Sequence, residues 1–217
     1  RDSVQRASLM SATLTGIRLR ALGMGANDFA AIQSLSSALV HTLTLPEPPA
    51  RDPAARSGID RRLLWRFGVS GDRPIVLVLA QAAHGQGLLR SLAQALRLWS
   101  WGGVDCDLVV VNAEPVSYVM ALQHELQLLR ERHDAETVAQ GGKACTGLFV
   151  LQTHELTAAE RATLHGLARV MLVADGRPLA MQVQGWMAGH EAAFERRHEG
   201  ARTALPCLLY TSPSPRD

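Results

Sequence analysis

Four places in the sequence carry residue types at spacings that could do chemistry. The first is His84-Gly85-Gln86-Gly87. It follows an apolar run and opens a helical pattern, where free backbone N–H groups and the helix dipole can gather an anion. The dinucleotide fingerprint needs a further glycine where Arg90 stands, and no Gly-Lys-Ser/Thr follows. The four residues therefore read as a flexible strand-to-helix turn. The second place is the carboxylate set Asp105, Asp107 and Glu114. Side chains two apart on extended backbone point the same way, so Asp105 and Asp107 pair, and paired carboxylates can pass protons or hold a cation. Asp105 precedes the strand and is expected to face water. Glu114 lies past the strand's C-terminal end, where open α/β sheets take ligands, and is the better functional candidate against the plainer reading of a solvated loop residue.

The third place is histidine. His124-Glu125 and His154-Glu155 begin like the zinc motif His-Glu-x-x-His, but Leu128 and Ala158 stand where the second histidine must be. His190 and His198 lie slightly over two helical turns apart and can share a face, with no third ligand beside them. The fourth is the set Trp65, Trp99, Trp101 and Trp186, whose flat faces could stack on sugar rings. Trp65 and Trp99 fall on helix faces expected to be buried, so core packing is their expected use. Gly68-Val69-Ser70-Gly71 has the wrong spacing for a nucleophile elbow. No catalytic, cofactor-binding or metal-binding residue emerges from these patterns.

The elements that must position these residues are legible from periodicity. Residues 3 to 22 place Val4, Leu9, Leu14, Ile17, Leu19 and Leu22 at helical spacing, and Gly23 and Gly25 stop that helix. Asn27 or Asp28 can cap a second helix through Phe29, Ile32, Leu35, Leu39 and Leu43. Pro46, Pro48, Pro49 and Pro53 then make a linker. Ile59 to Phe67 is a short helical approach, and Ile75-Val76-Leu77-Val78-Leu79 is a strand apolar on both faces. A helix from Gln86 to Trp101 buries Leu88, Leu89, Leu92, Leu96 and Trp99 and ends at Gly102-Gly103. Leu108–Val111 is a second strand, followed by a helix starting near Pro115 and ending near Arg132, then a polar loop from His133 to Thr146. Leu148–Leu151 is a third strand. Thr157 and Glu160 form a capping box for a helix to about Ala168. Val170–Val173 is a fourth strand, and Pro178 opens a last helix to about Met187.

Alternating strands and helices predict an α/β fold: a small three-layer domain with a mostly parallel four-stranded sheet, preceded by a helical segment. The expected organisation is a helical segment over 1–45, a Pro-rich linker over 46–58, the α/β domain over 59–190, and a polar helix or linker over 191–206. The ending, Cys207–Asp217, matches a translated sequencing adapter and is expected to be non-native. Hydrophobic residues make up 47% and charged residues 19% of the 217, a globular balance. A net charge of +2 argues against a nucleic-acid partner. No apolar run reaches the ~20 residues that cross a bilayer. Of the three cysteines, none lies in a Cys-x-x-Cys pair, and Cys106 is expected to be a small buried hydrophobe, a use that suits a reducing compartment.

One stretch is more specific than the rest. Leu64-Trp65-Arg66-Phe67-Gly68-Val69-Ser70-Gly71-Asp72-Arg73-Pro74-Ile75 resembles the Leu-Trp-x-x-Gly-Ile-Ser-Gly-Asp-x-Pro-Ile signature of cyclic β-1,2-glucan synthases. Later pieces keep the same order: Trp99 with Gly102-Gly103, Asp107-Leu108-Val109-Val110-Val111-Asn112, Ser117-Tyr118, Leu122-Gln123, Gly147–Leu151 and Leu179–Gln182. The likeness spans about residues 5 to 190. Departures are Val69 for Ile, Arg73 at the variable position, and an unalignable loop around Gly141. The resemblance implies an internal, non-catalytic segment of a large bacterial inner-membrane glucosyltransferase. That parent joins a UDP-glucose-dependent transferase to a glycoside-phosphorylase-like region. The segment would lie on the cytoplasmic side, hold no cofactor, and contact other modules of the same chain and β-glucan. The different-class alternative is a free-standing nucleotide-binding α/β module, resting on the turn at His84–Gly87.

Overall fold

The computed structural model describes residues 2–40, 59–81, 85–115, 120–139, 141 and 145–204, with backbone alone at 197 and 199–204. The Pro-rich linker, His84, Ser117-Tyr118, Gly142 and the Cys207–Asp217 ending lie outside those residues. The described chain runs α1 (Asp2–Leu22), α2 (Ala26–Val40), a 3-10 helix (Arg61–Phe67), β1 (Ile75–Ala80), α3 (Gln86–Gly102), β2 (Cys106–Asn112), α4 (Ala121–Ala139), β3 (Thr146–Gln152), a 3-10 turn (Thr153–Glu155), α5 (Ala158–Leu167), β4 (Ala168–Ala174) and α6 (Leu179–Ala204).

All four strands are parallel, in the order β3-β2-β1-β4. The chain lays down three neighbouring strands, then crosses back to the far side of β1, so the direction of winding reverses between β1 and β4. Register is regular from Val76↔Leu108 to Ala80↔Asn112, and the β1–β4 ladder slips once, between Ile75 and Val76. Alternate side chains fill two cores. Val76, Val78 and Ala80 join Leu108, Val110, Leu172 and buried residues of α2, α3, α4 and α6. Ile75 and Leu77 join Val109, Val111 and Leu151, covered by Leu64 of the 3-10 helix and Leu164 of α5. Burial on both faces is why these strands read as unbroken apolar runs.

Helix α2 belongs to this core. Ile32, Leu35 and Leu39 are buried against the sheet layer, and the Trp99 indole, 1% exposed, donates from Nε1 to Ser36 Oγ at 2.8 Å. Most of α1 is exposed, its end held where Gln94 Nε2 donates to Leu22 O at 2.8 Å. The capping box is formed: Glu160 N donates to Thr157 Oγ1, and Thr157 N to Glu160 Oε2.

Two helices differ from expectation. α4 begins at Ala121, with Pro115 in the preceding loop, and it continues through His133 to Ala139 where a polar loop was expected. The i,i+4 approaches Arg130–Asp134 and Arg132–Glu136 support that extension, and Gly141, at φ 88°, lies just past its end. α6 runs to Ala204 instead of ending near Met187. Trp186 stacks on His190 and Phe194 meets His198 edge-on, ring pairs four residues apart that accompany the added turns.

Candidate functional site

Among the described residues, two of the places where polar side chains meet open space stand at opposite ends of the sheet. The first is the run from Asp60 to Pro74, leading into β1. Asp60 caps the 3-10 helix by accepting from Arg62 N at 3.0 Å, and Leu64 plugs it into the core. A 3-10 helix advances three residues per turn, so Arg61, Leu64 and Phe67 form one line and Trp65 falls off it. Gly68 closes the helix at φ 80°, its N–H donating to Trp65 O at 2.9 Å. Gly71 turns at φ 73°, and a Cβ there would meet Arg61 Cβ at 3.1 Å. The turn is tied by Arg61 to Asp72 at 2.6 Å and by Asp72 N to Ser70 Oγ at 3.1 Å. Arg66 reaches across to α5. Its Nε and Nη2 donate to the two Glu160 oxygens at 2.7 and 2.9 Å, and Nη2 also donates to Glu155 O at 2.7 Å.

Trp65 is the exception within this run. It was expected in the core, yet it is 57% exposed. Its Nε1 donates to Ser70 O at 3.3 Å, which tethers the ring edge to the turn. Around it lies an open groove of about 600 Å³, lined by Ile59, Asp60, Arg61, Arg62 and Leu167.

The second place is the C-terminal end of the sheet. A cleft of about 170 Å³ opens between the ends of β1 and β2 and helix α5. Leu77, Leu79, Val111 and Leu164 form its apolar wall, and Gln81, Thr153, Arg161 and His165 supply polar groups. Sequence reasoning passed over Arg161 and His165; their spacing of four, on one face of a helix that follows β3, was the signal available. Beside the cleft, Asn112 Nδ2 donates to Gln123 Oε1 at 3.0 Å, Gln152 Nε2 donates to the same oxygen, and Thr153 Oγ1 donates to Asn112 O at 3.0 Å. Glu114, the favoured carboxylate, is committed elsewhere: its oxygens accept from Leu122 N at 3.1 Å and Gln123 N at 3.0 Å, capping α4. It is a half-buried loop residue whose carboxylate serves as a helix cap.

Gly85 and Gly87 have unlike surroundings. Gly85, the cap residue of α3, is so close to β4 that a Cβ would sit 2.4 Å from Ala174 Cβ and 2.5 Å from Ala174 O. Nothing lies within 4 Å of a Cβ on Gly87. The first glycine thus serves helix-to-strand packing at the point where winding reverses.

The remaining candidates are not brought together. Asp105 is exposed as expected, while Asp107 is 2% exposed and hydrogen-bonds Arg73 at 3.5 Å, in space that Gly147 leaves open. Burial pushes the Asp107 carboxyl up from its ordinary value, opposed by the Arg73 charge. Burial likewise raises the Cys106 thiol, in keeping with a buried hydrophobe. His124 and His154 are exposed, and among the described residues no three His, Cys, Asp or Glu side chains assemble as a metal site. His190 and His198 each pack on an aromatic ring of their own helix. No helix among the described residues is long and apolar enough to cross a membrane. Comparison with protein-family models and with curated proteins finds no match to this chain.

Proposed function

We propose that the chain is an internal, non-catalytic α/β segment of a cyclic β-1,2-glucan synthase, placed on the cytoplasmic side of the inner membrane. The observation that supports this reading is the Leu64–Ile75 run. With Asp60 and Arg61 just before it, the run forms a continuous mechanical device: a cap at Asp60, a plug at Leu64, left-handed turns at Gly68 and Gly71, and the Arg61–Asp72 tie that delivers Pro74 into β1. A likeness concentrated in residues with such jobs is what a shared scaffold produces. The segment's role is to hold the modules on either side of it.

The test is a segment exchange. Residues 5–190 replace the corresponding stretch of a cyclic β-1,2-glucan synthase, and membranes are supplied with radiolabelled UDP-glucose. Label entering neutral cyclic glucan is the expected result. Normal abundance with no product would refute the assignment.

A second reading, a nucleotide-binding module, draws on one observation: Gly85 offers α3 no side-chain cap, and a helix start of that kind near the C-terminal edge of a sheet suits an anion. Calorimetric titration of the chain with UDP-glucose and NAD separates the two, since micromolar binding favours the module.

A further inference from the structure

We infer that the groove around Trp65 binds a neutral carbohydrate chain, with the indole as its stacking platform; resting on the reading above, that chain is β-1,2-linked glucan. The ring is exposed but not loose. Its Nε1 is tied to Ser70 O, and the turn carrying that oxygen is braced by the Arg61–Asp72 pair. The 3-10 helix is anchored by Leu64, so Trp65 is not spent on packing. A sugar ring presents an apolar C–H face and a rim of hydroxyls, and the groove offers the complement of both. Trp65, Ile59 and Leu167 supply apolar surface, and Asp60, Arg61 and Arg62 stand beside it with directional acceptors and donors.

Charge selects among ligands. Arg61 pairs with Asp72 at 2.6 Å and Arg62 lies 3.9 Å from Asp60, so each cation at the rim has a carboxylate beside it. Such a rim gives a phosphate little net attraction and leaves hydroxyl groups as suitable guests. The volume, about 600 Å³, falls within the roughly 300–1,000 Å³ of small-molecule clefts.

The experiment is affinity electrophoresis and calorimetry of the whole chain with cyclic β-1,2-glucan, with linear β-1,3-glucan and inorganic phosphate as comparison probes. Binding to cyclic β-1,2-glucan is expected, at least tenfold weaker in Trp65→Ala and partly restored in Trp65→Phe. Circular dichroism should be unchanged in both variants, and any fall in the urea midpoint should leave them folded under the binding conditions, because Leu64 anchors the helix. Retention through Trp65 of β-1,3-glucan but not β-1,2-glucan would keep the carbohydrate groove and sink the synthase assignment. No binding to either glucan, or equal binding by Trp65→Ala, would overturn the groove and leave the segment exchange to judge the synthase reading by itself. Competition by phosphate, or a Trp65-dependent change in mass by light scattering, would also overturn it, in favour of an anion site or a self-association face.

Discussion

Replacing Gly85 by alanine isolates a steric requirement from a conformational one. The residue sits at φ −81° and ψ 0°, which alanine adopts without strain, so backbone freedom is not at issue. The new methyl group would lie 2.4 Å from Ala174 Cβ, 2.5 Å from Ala174 O and 2.8 Å from its carbonyl carbon. Carbon atoms in contact sit about 3.5–4.0 Å apart, so α3 and the end of β4 must separate by about 1 Å. Neither moves freely. Leu88, Leu89 and Leu92 anchor α3 in the core, and Ala174 is paired with Ala80 across the β1–β4 ladder. Overpacking of this kind costs about 1–3 kcal/mol, and the lower entropy of the unfolded alanine chain returns about 0.4–1 kcal/mol. The net is a loss of about 1–2 kcal/mol. At Gly87, also in the first turn but with open space around it, alanine should instead stabilise by about 0.5 kcal/mol.

The assay is urea unfolding followed by circular dichroism. Gly85→Ala should lower the midpoint by about 0.5–1 M, and Gly87→Ala should raise it slightly. Adding Ala174→Gly to Gly85→Ala should restore only part of the loss, because the carbonyl contact remains. A Gly85→Ala midpoint at or above the parent value would refute the packing argument. So would equal losses at both glycines, since a common effect would belong to the motif and not to the contact with β4.

Two further outcomes follow from other contacts. The Arg66 guanidinium bonded to Glu160, helped by Thr157 N–H, holds the Glu160 carboxyl down to about 2 from an ordinary 4.5. The unfolded chain therefore binds the proton first as pH falls, and this contribution, whole above 4.5, is lost as pH drops through about 2. Urea midpoints measured across that window should fall less steeply for Glu160→Gln than for the parent, and identical slopes would show that the pair is not felt. Asp107 acts in the opposite sense, its raised carboxyl favouring the folded state toward low pH, and it is retained in both proteins. In the core, Leu92→Ala should cost about 2–5 kcal/mol, while Leu128→Ala on the exposed side of α4 should stay within about 0.5 kcal/mol; comparable losses would contradict the burial pattern.

The sheet was legible because its determinants are local. Four apolar runs separated by helical patterns leave little alternative to parallel strands, and Thr157 with Glu160 lies close enough in sequence for a capping box to be read directly. What stayed hidden depends on groups distant in the chain. Glu114 caps α4 from eight residues before Leu122, and no local rule pairs a carboxylate with backbone N–H groups at that distance. Pro115 beside it imitates a helix start and drew the expected boundary forward. The Arg66–Glu160 clamp joins residues 94 apart. Gly85 reads as part of a flexible strand-to-helix turn until β4 is placed beside β1, because the strand order that puts Ala174 against it follows from the reversal of winding after β3.

Trp65 shows how one misassigned helix face moves a functional reading. A tryptophan among apolar neighbours invites a core reading, yet even at 3.6 residues per turn Trp65 stands about 100° from Leu64, on the side away from Leu63 and Phe67. The helix is 3-10, and at three residues per turn Leu64 and Phe67 align while the indole, about 120° off that line, is 57% exposed. A residue dismissed as packing becomes, among the described residues, an exposed aromatic surface beside a polar groove. The same change moves attention from the carboxyl end of the sheet, where Glu114 is occupied with capping, to the opposite end. There the run that carries the family likeness builds the turn, and the turn in turn holds the ring. The proposed carbohydrate contact thus falls at the tryptophan, and the turns at Gly68 and Gly71 support it.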